Sequence, residues 1–274
     1  MREPAVSGTF YPPGKDELAN MIDGFIKEAR LSQDVENAVS YVAPHAGYVY
    51  SGRTAAYAFS AMQSKKGIES IESFVVIGPN HTGHGKPMAV SMQDWKIPLG
   101  VMQNDKELSS LIAKADGIDR DEEAHRDEHS VEVQLPFIKQ LFPDAKCCFI
   151  CMGNQSIEAA HALSDAVADA VKRLGRKAIV LASSDFNHYE SRAVAQRKDR
   201  PLFELLEKMD VEGFYRRKGE QNESACGYGP ISTALLYAKK VHNASKGVLL
   251  HNSDSGDETG DTENVVDYAS LCFL

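Results

Sequence analysis

The sequence predicts an α/β fold: a mixed, largely parallel sheet wrapped by helices on both faces. Segments that are apolar along their whole length, such as 74–78, Lys146–Met152 and 177–182, read as strands buried from both sides, as parallel pairing requires. Segments with apolar residues at helical spacing alternate with them, the order of βα units. Composition is the third observation. The chain has 274 residues, 43% apolar and 25% charged, ordinary for a folded protein and ample for a substantial core. No repeat or linker-like tract divides it, so a single domain over residues 1–274 is expected.

Taken in order, residues 39–43 form a short strand, and the small-residue segment 52–62 has helical spacing. Residues 74–78 are the next strand. Residues 87–92 and 95–101 flank a turn and are expected to pair as a hairpin. Segment 104–114 opens on Asn104 as a capping residue and carries Leu108, Leu111 and Ile112 at helical intervals. Segment 130–142 reads as a helix, with Ser130 as its cap, that Pro136 should kink or break. Lys146–Met152 is a strand, Ile157–Leu174 a long helix and 177–182 a strand. Helices at 201–209 and 230–240 follow, then strands at 247–251 and Val265–Phe273, with the Asp/Glu/Gly-rich stretch 253–263 as an exposed loop.

The formal charge of −9 argues against a phosphate-backbone binder, which needs a basic face. The short run Arg216-Arg217-Lys218 fits a solvated helix end. No apolar run approaches the ~18–20 residues of a membrane span. The N-terminus, Met1-Arg2-Glu3-Pro4, lacks a signal-peptide core. A cytoplasmic protein is expected, with no nucleic acid or membrane partner. Five cysteines in a chain of this size read as reduced thiols. Cys147, Cys148 and Cys151 look like ordinary buried cysteines, the first two pointing to opposite faces of one strand.

Loops leaving the carboxyl ends of parallel strands share one rim, where ligands bind. His45 lies in Ala43-Pro44-His45-Ala46-Gly47-Tyr48, and His81 in Gly78-Pro79-Asn80-His81-Thr82-Gly83, each just after a strand and between Pro and Gly. Either could cap a turn, but two such placements suit metal ligands. Gly153-Asn154 follows a third strand. Asp185 and His188 follow a fourth, in Ser183-Ser184-Asp185-Phe186-Asn187-His188. A carboxylate three positions from an imidazole can orient it or tune its pKa, the layout of a general base or an extra ligand. The alternative is that Asp185 caps the next helix. His129, in Asp127-Glu128-His129-Ser130, faces the cleft or sits at a helix entrance. His84 and His125 read as solvated, while His161, His242 and His251 lack supporting context. Cys226 precedes a helix that Pro230 can open at its first position. Its thiol is either lowered in pKa by the helix dipole or an ordinary buried Cys.

Six segments together carry a resemblance: Gly8-Thr9-Phe10-Tyr11-Pro12, Ala43-Pro44-His45-Ala46-Gly47-Tyr48, Gly78-Pro79-Asn80-His81, Asp127-Glu128-His129-Ser130-Val131-Glu132, Ser183-Ser184-Asp185-Phe186-Asn187-His188-Tyr189 and Cys226-Gly227-Tyr228-Gly229-Pro230-Ile231. In this order the chain resembles the Memo family, whose fold is similar to class III (LigB-type) extradiol dioxygenases. The resemblance implies a metal site on His45, His81 and Cys226, with His188 as acid/base beside Asp185 and His129 as a further cleft residue. The related dioxygenases hold Fe(II) on two His and one carboxylate. Cys226 in the third position is softer, favours copper, zinc or iron in other redox roles, and can itself be oxidised. The expected function is therefore a metal-dependent oxidoreductase, using iron before copper or zinc, on a small-molecule or peptide ligand. A zinc hydrolase on the same site and a non-catalytic peptide- or anion-binding module are the alternatives.

Overall fold

The computed structural model describes residues 1–221 and 225–274. The chain runs α1 (Lys15–Glu28), β1 (Ser40–Ala43), α2 (Tyr48–Gln63), β2 (Ser73–Pro79), β3 (Met88–Val90), β4 (Trp95–Ile97), β5 (Gly100–Met102), α3 (Lys106–Ile112) and β6 (Asp119–Arg120). It continues through α4 (Leu135–Leu141), β7 (Lys146–Met152), α5 (Ile157–Leu174), β8 (Ala178–Ser183), β9 (His188–Glu190), α6 (Arg192–Glu207), α7 (Val211–Gln221), α8 (Tyr228–His242), β10 (Gly247–Asp254), α9 (Gly256–Thr259) and β11 (Val265–Phe273). Along the sheet the order is β10-β11-β1-β8-β2-β7-β3-β6. The central strands β1, β8, β2 and β7 are parallel, while β10, β11 and β3 pair antiparallel on the flanks. Only a strand buried on both faces can be apolar at every position, which is why the centre was legible.

Alternation along the central strands divides the core into two layers. Val42, Val75, Ile77, Cys148, Ile150, Val180 and Ala182 pack under α3, α5, α6, α7 and α8. Tyr41, Phe74, Val76, Cys147, Phe149, Ile179 and Leu181 pack under α1, α2 and α4. Cys147 and Cys148 do face opposite layers, and Cys151 is buried too. The helix α5 shows what its sequence encodes. The Ser156 side chain accepts from the Ala159 backbone N–H, Gly175 ends the helix in the left-handed region at φ 62°, and its small apolar face lies on the sheet.

Several expectations are corrected. The hairpin is β4 with β5, joined by the turn after Ile97, while β3 pairs with β7 and β6. Both segments contain strands, but partner choice depends on which edge is free. The cap of α3 is Asp105, whose side chain accepts from Leu108 N; Asn104 ties that turn to Ser91 O and Ser109 Oγ. Residues 130–142 break into a 3₁₀ turn at Glu132–Gln134 followed by α4, with Pro136 in its first turn, where no N–H is needed. Pro201 lies inside α6, which begins at Arg192, because the polar first half carries no apolar stripe to read. The start of α8 is Tyr228, two residues before Pro230. Within 253–263 the chain extends β10 and adds α9. Sequence reading passed over α1 despite Leu18, Ile22 and Phe25 on one buried face, and also α7.

Candidate metal centre

The strands β1, β8 and β2 run in step, Ala43 beside Ser183 and Ile77 beside Ala182. Their carboxyl ends therefore open at one rim. Residues two positions beyond each end are His45, His81 and Asp185. Parallel register thus turns a sequence separation of 140 residues into contact: Asp185 Oδ1 accepts the His45 backbone N–H at 2.8 Å. Asp185 caps this loop rather than the next helix.

A hydrogen-bond chain fixes the tautomer of His45. The Ser183 hydroxyl donates its one proton to Ser130 O at 2.7 Å and accepts from Gln134 Nε2 at 2.8 Å. Facing His45 Nδ1 at 2.9 Å, it can only accept. Nδ1 therefore carries the proton, and Nε2 presents its lone pair to the cleft. The Cys226 sulfur lies 3.2 Å from that Nε2. Burial first, then the neighbouring His129, His81 and His188, hold His45 well below the usual imidazole range, so it stays neutral as a ligand must.

Glu128 does the same for the second imidazole. It is 1% exposed and accepts the His81 backbone N–H at 2.6 Å, His81 Nδ1 at 2.9 Å and Ser130 N at 2.9 Å. Burial opposes its charge, but the bonds from His81 and the backbone win and hold it at about 2. The occupied Nδ1 leaves Nε2 of His81 for the cleft, a carboxylate–histidine arrangement typical of metal sites. His129 Nδ1 lies 3.4 Å from the same Glu128 carboxylate, and its ring stacks on His81 at 4.7 Å. The ligand nitrogens of His45, His81 and His129 all lie within 4.8 Å of one another, a group that could hold a metal ion.

Gly227 positions the sulfur. A Cβ there would sit 2.3 Å from Ser183 O, so only glycine lets the start of α8 approach the end of β8. Cys226 Sγ accepts from Asp185 N at 3.2 Å. Burial first, then the Asp185 charge, push its thiol up, overriding the lowering expected from the helix dipole. Asp185 is itself raised to about 6 by burial, against the backbone N–H of His45.

These groups floor a cleft of about 890 Å³. His188 lies on its wall beside Tyr189, which is 75% exposed and held at φ 61°, a strained conformation for a bulky residue. Phe10, Tyr50 and Tyr268 complete an aromatic rim. Sequence reading missed Glu128, Ser183 and Gln134 as supports and these aromatics as walls. Glu128 had a signal, since it stands in Asp127-Glu128-His129-Ser130 beside the cleft histidine. Gly153 and Asn154, by contrast, both donate to Pro87 O and stay off the cleft wall. His125, expected at the surface, is fully buried against Trp95. His84 is exposed, as read.

The family profile described as Memo-like protein matches residues 2–272. The chain belongs to the Memo-like family. A MEMO1 family protein of Methanococcoides burtonii is 44% identical over 273 residues, covering 99% of each chain. Those of Methanosarcina barkeri (40% over 272 residues, 99% of each) and Nitrosopumilus maritimus (39% over 281 residues, 100% of each) are similar over their whole lengths. Among solved structures, an uncharacterised Escherichia coli K12 protein aligns over 86% of this chain and 99% of its own, at 8% identity and a TM-score of 0.44. Membership in the Memo-like family agrees with the resemblance read from the motifs. No helix among the described residues is long and apolar enough to cross a membrane.

Proposed function

We propose that this Memo-like protein is a metal-dependent oxidoreductase in which His45, His81 and Cys226 hold an iron or copper ion, with His129 at hand as a further ligand. The observation that carries the reading is the pair of imidazoles whose Nδ1 atoms are tied to Ser183 and Glu128, which leaves their Nε2 atoms for a ligand, with the Cys226 sulfur 3.2 Å from that of His45. Nitrogen and sulfur ligands at ~2.1 and ~2.3 Å from one ion are spaced about that far apart. Bound there, iron or copper would supply one-electron chemistry toward O₂ or substrate. The chain's own residues do the rest. A metal there would require Cys226 as thiolate, and Asp185, raised by burial to about 6, would stand beside it to accept the thiol proton. His188, on the open wall, moves protons to and from a ligand, and the aromatic rim excludes water around it. The cleft admits a small molecule or a peptide side chain. Five unpaired cysteines support a reducing, cytoplasmic setting.

The three-imidazole group favours one second reading, a zinc hydrolase, because three His ligands and a water form a standard catalytic zinc site. Elemental analysis of anaerobically purified protein decides between them. The oxidoreductase reading expects iron or copper near one per chain, lost in His45→Ala, His81→Ala and Cys226→Ala. Stoichiometric zinc retained in Cys226→Ala but lost in His129→Ala would establish the hydrolytic site. Metal content unchanged in all four variants would overturn both.

A further inference from the structure

The opposite rim, at the amino-terminal ends of β1, β2 and β8, holds a second cavity of about 420 Å³. Its polar wall is Lys65, Lys66, Arg176, Lys177 and His242, and its floor is Val39, Ile71, Val171, Tyr237 and Val241. No carboxylate lines it among the described residues, although the chain carries nine more acidic than basic side chains. Two of the cations are already satisfied. Lys66 pairs with Glu36 at 2.9 Å, and Arg176 with Asp105 at 3.1 Å and Glu107 at 2.7 Å. The last-turn cations of α5 and α8 near this edge sit where helix dipoles favour them. Lys65 and Lys177 lie outside the helices, and neither has an ion pair among the described residues. Burial lowers the half-buried Lys65, and burial together with Lys65 lowers His242. Lys65 and His242 therefore share one cavity over an apolar floor, and no carboxylate among its lining residues pairs with either.

We propose that this cavity is a second binding site, separate from the metal-type cleft, for a small organic anion: a phosphate monoester or carboxylate on a flat apolar body. Lys65, Lys177 and His242 hold the charged group, and Tyr237 with the valines takes the body. The charge-assisted bonds supply the affinity, and contact of the body with the apolar floor favours an organic anion over a free inorganic one. An anion between Lys65 and His242 also relieves their repulsion, so binding raises the His242 pKa. This proposal is independent of the metal reading.

Histidine NMR of the full chain, with the His242 signal assigned through His242→Gln, reads the site. Phenyl phosphate, benzoate and sodium chloride are titrated at constant ionic strength. A saturable upward shift of the His242 pKa with either organic anion, weakened about tenfold or more in Lys65→Met and in Lys177→Ala, supports the site. Tighter phenyl phosphate assigns it to phosphate monoesters, and tighter benzoate to carboxylates. A response that chloride reproduces, or that persists unchanged in both lysine variants, overturns the proposal.

Discussion

Ser183 decides which nitrogen of His45 meets the cleft, and it does so with a single proton. Because that proton is spent on Ser130 O, the hydroxyl can only accept from the imidazole. Replacing it frees the ring to flip tautomer, and loss of such supporting bonds typically costs ~10–100-fold in metal affinity. Ser183→Ala is therefore expected to weaken metal binding by about that factor, with the fold intact by circular dichroism; competition titration against a chelator measures it. His45 and His81 were legible because each stands just past a readable strand, between Pro and Gly. The role of Ser183 was not, since nothing local tells a serine at the end of a strand that a ring 138 residues away will face it. Cys226 shows the same limit in its chemistry. Its place before a helix suggests an acidic thiol, and only packing over the sulfur reverses the direction.

At the scale of elements, the N-terminal arm is what holds the Glu128–His129 segment in place. Arg2, stacked on Trp95 at 4.0 Å, donates to His125 O, Glu128 O and the Glu132 carboxylate. Glu132 also accepts from Ala5 N, Val6 N and Tyr11 Oη. The same arm brings Phe10 to 4.7 Å from His129. From the other side, Gly78 lets β2 approach so closely that a Cβ there would lie 2.3 Å from Ser130 Oγ. Breaking a buried ion pair by removing one partner typically costs 3–5 kcal/mol, because the other charge is left without compensation. Glu132→Ala should thus lower the unfolding free energy by about 3–5 kcal/mol in urea titrations, and a loss under 1 kcal/mol would show that the arm is not a structural strap. The strands and α5 were readable because their signals lie within one element. The β4–β5 hairpin and the length of α6 were not, because pairing partners and a polar helix face are set by neighbours.

For the whole molecule, buried titratable groups set how stability follows pH. Burial first, then Arg2, lower His125 from its ordinary 6.5 to about 4, so the folded state excludes a proton that the unfolded chain takes up. This stability is present above pH 6.5 and is lost as pH falls toward 4. Asp267 works in the other direction. Burial raises it from 3.8 to about 6, so its contribution is present at low pH and is lost as pH rises through that window. The two partly cancel in the wild type, and a variant separates them. Between pH 7 and pH 5 the wild type should lose about 2 kcal/mol more than His125→Gln, measured by urea unfolding at both values. Equal losses would show that His125 does not stay neutral. What the sequence by itself determined is the α/β class, the central strands, the family and which residues stand past the strand ends, since each is written in local periodicity or in a contiguous motif. Only the tertiary structure decided that Ser183 and Glu128 set the ring nitrogens, that three imidazoles gather beside one sulfur, and that five basic side chains line the far rim. Those facts depend on strand register and on packing between distant segments, where hydrogen bonding and burial act across space and leave no trace along the chain.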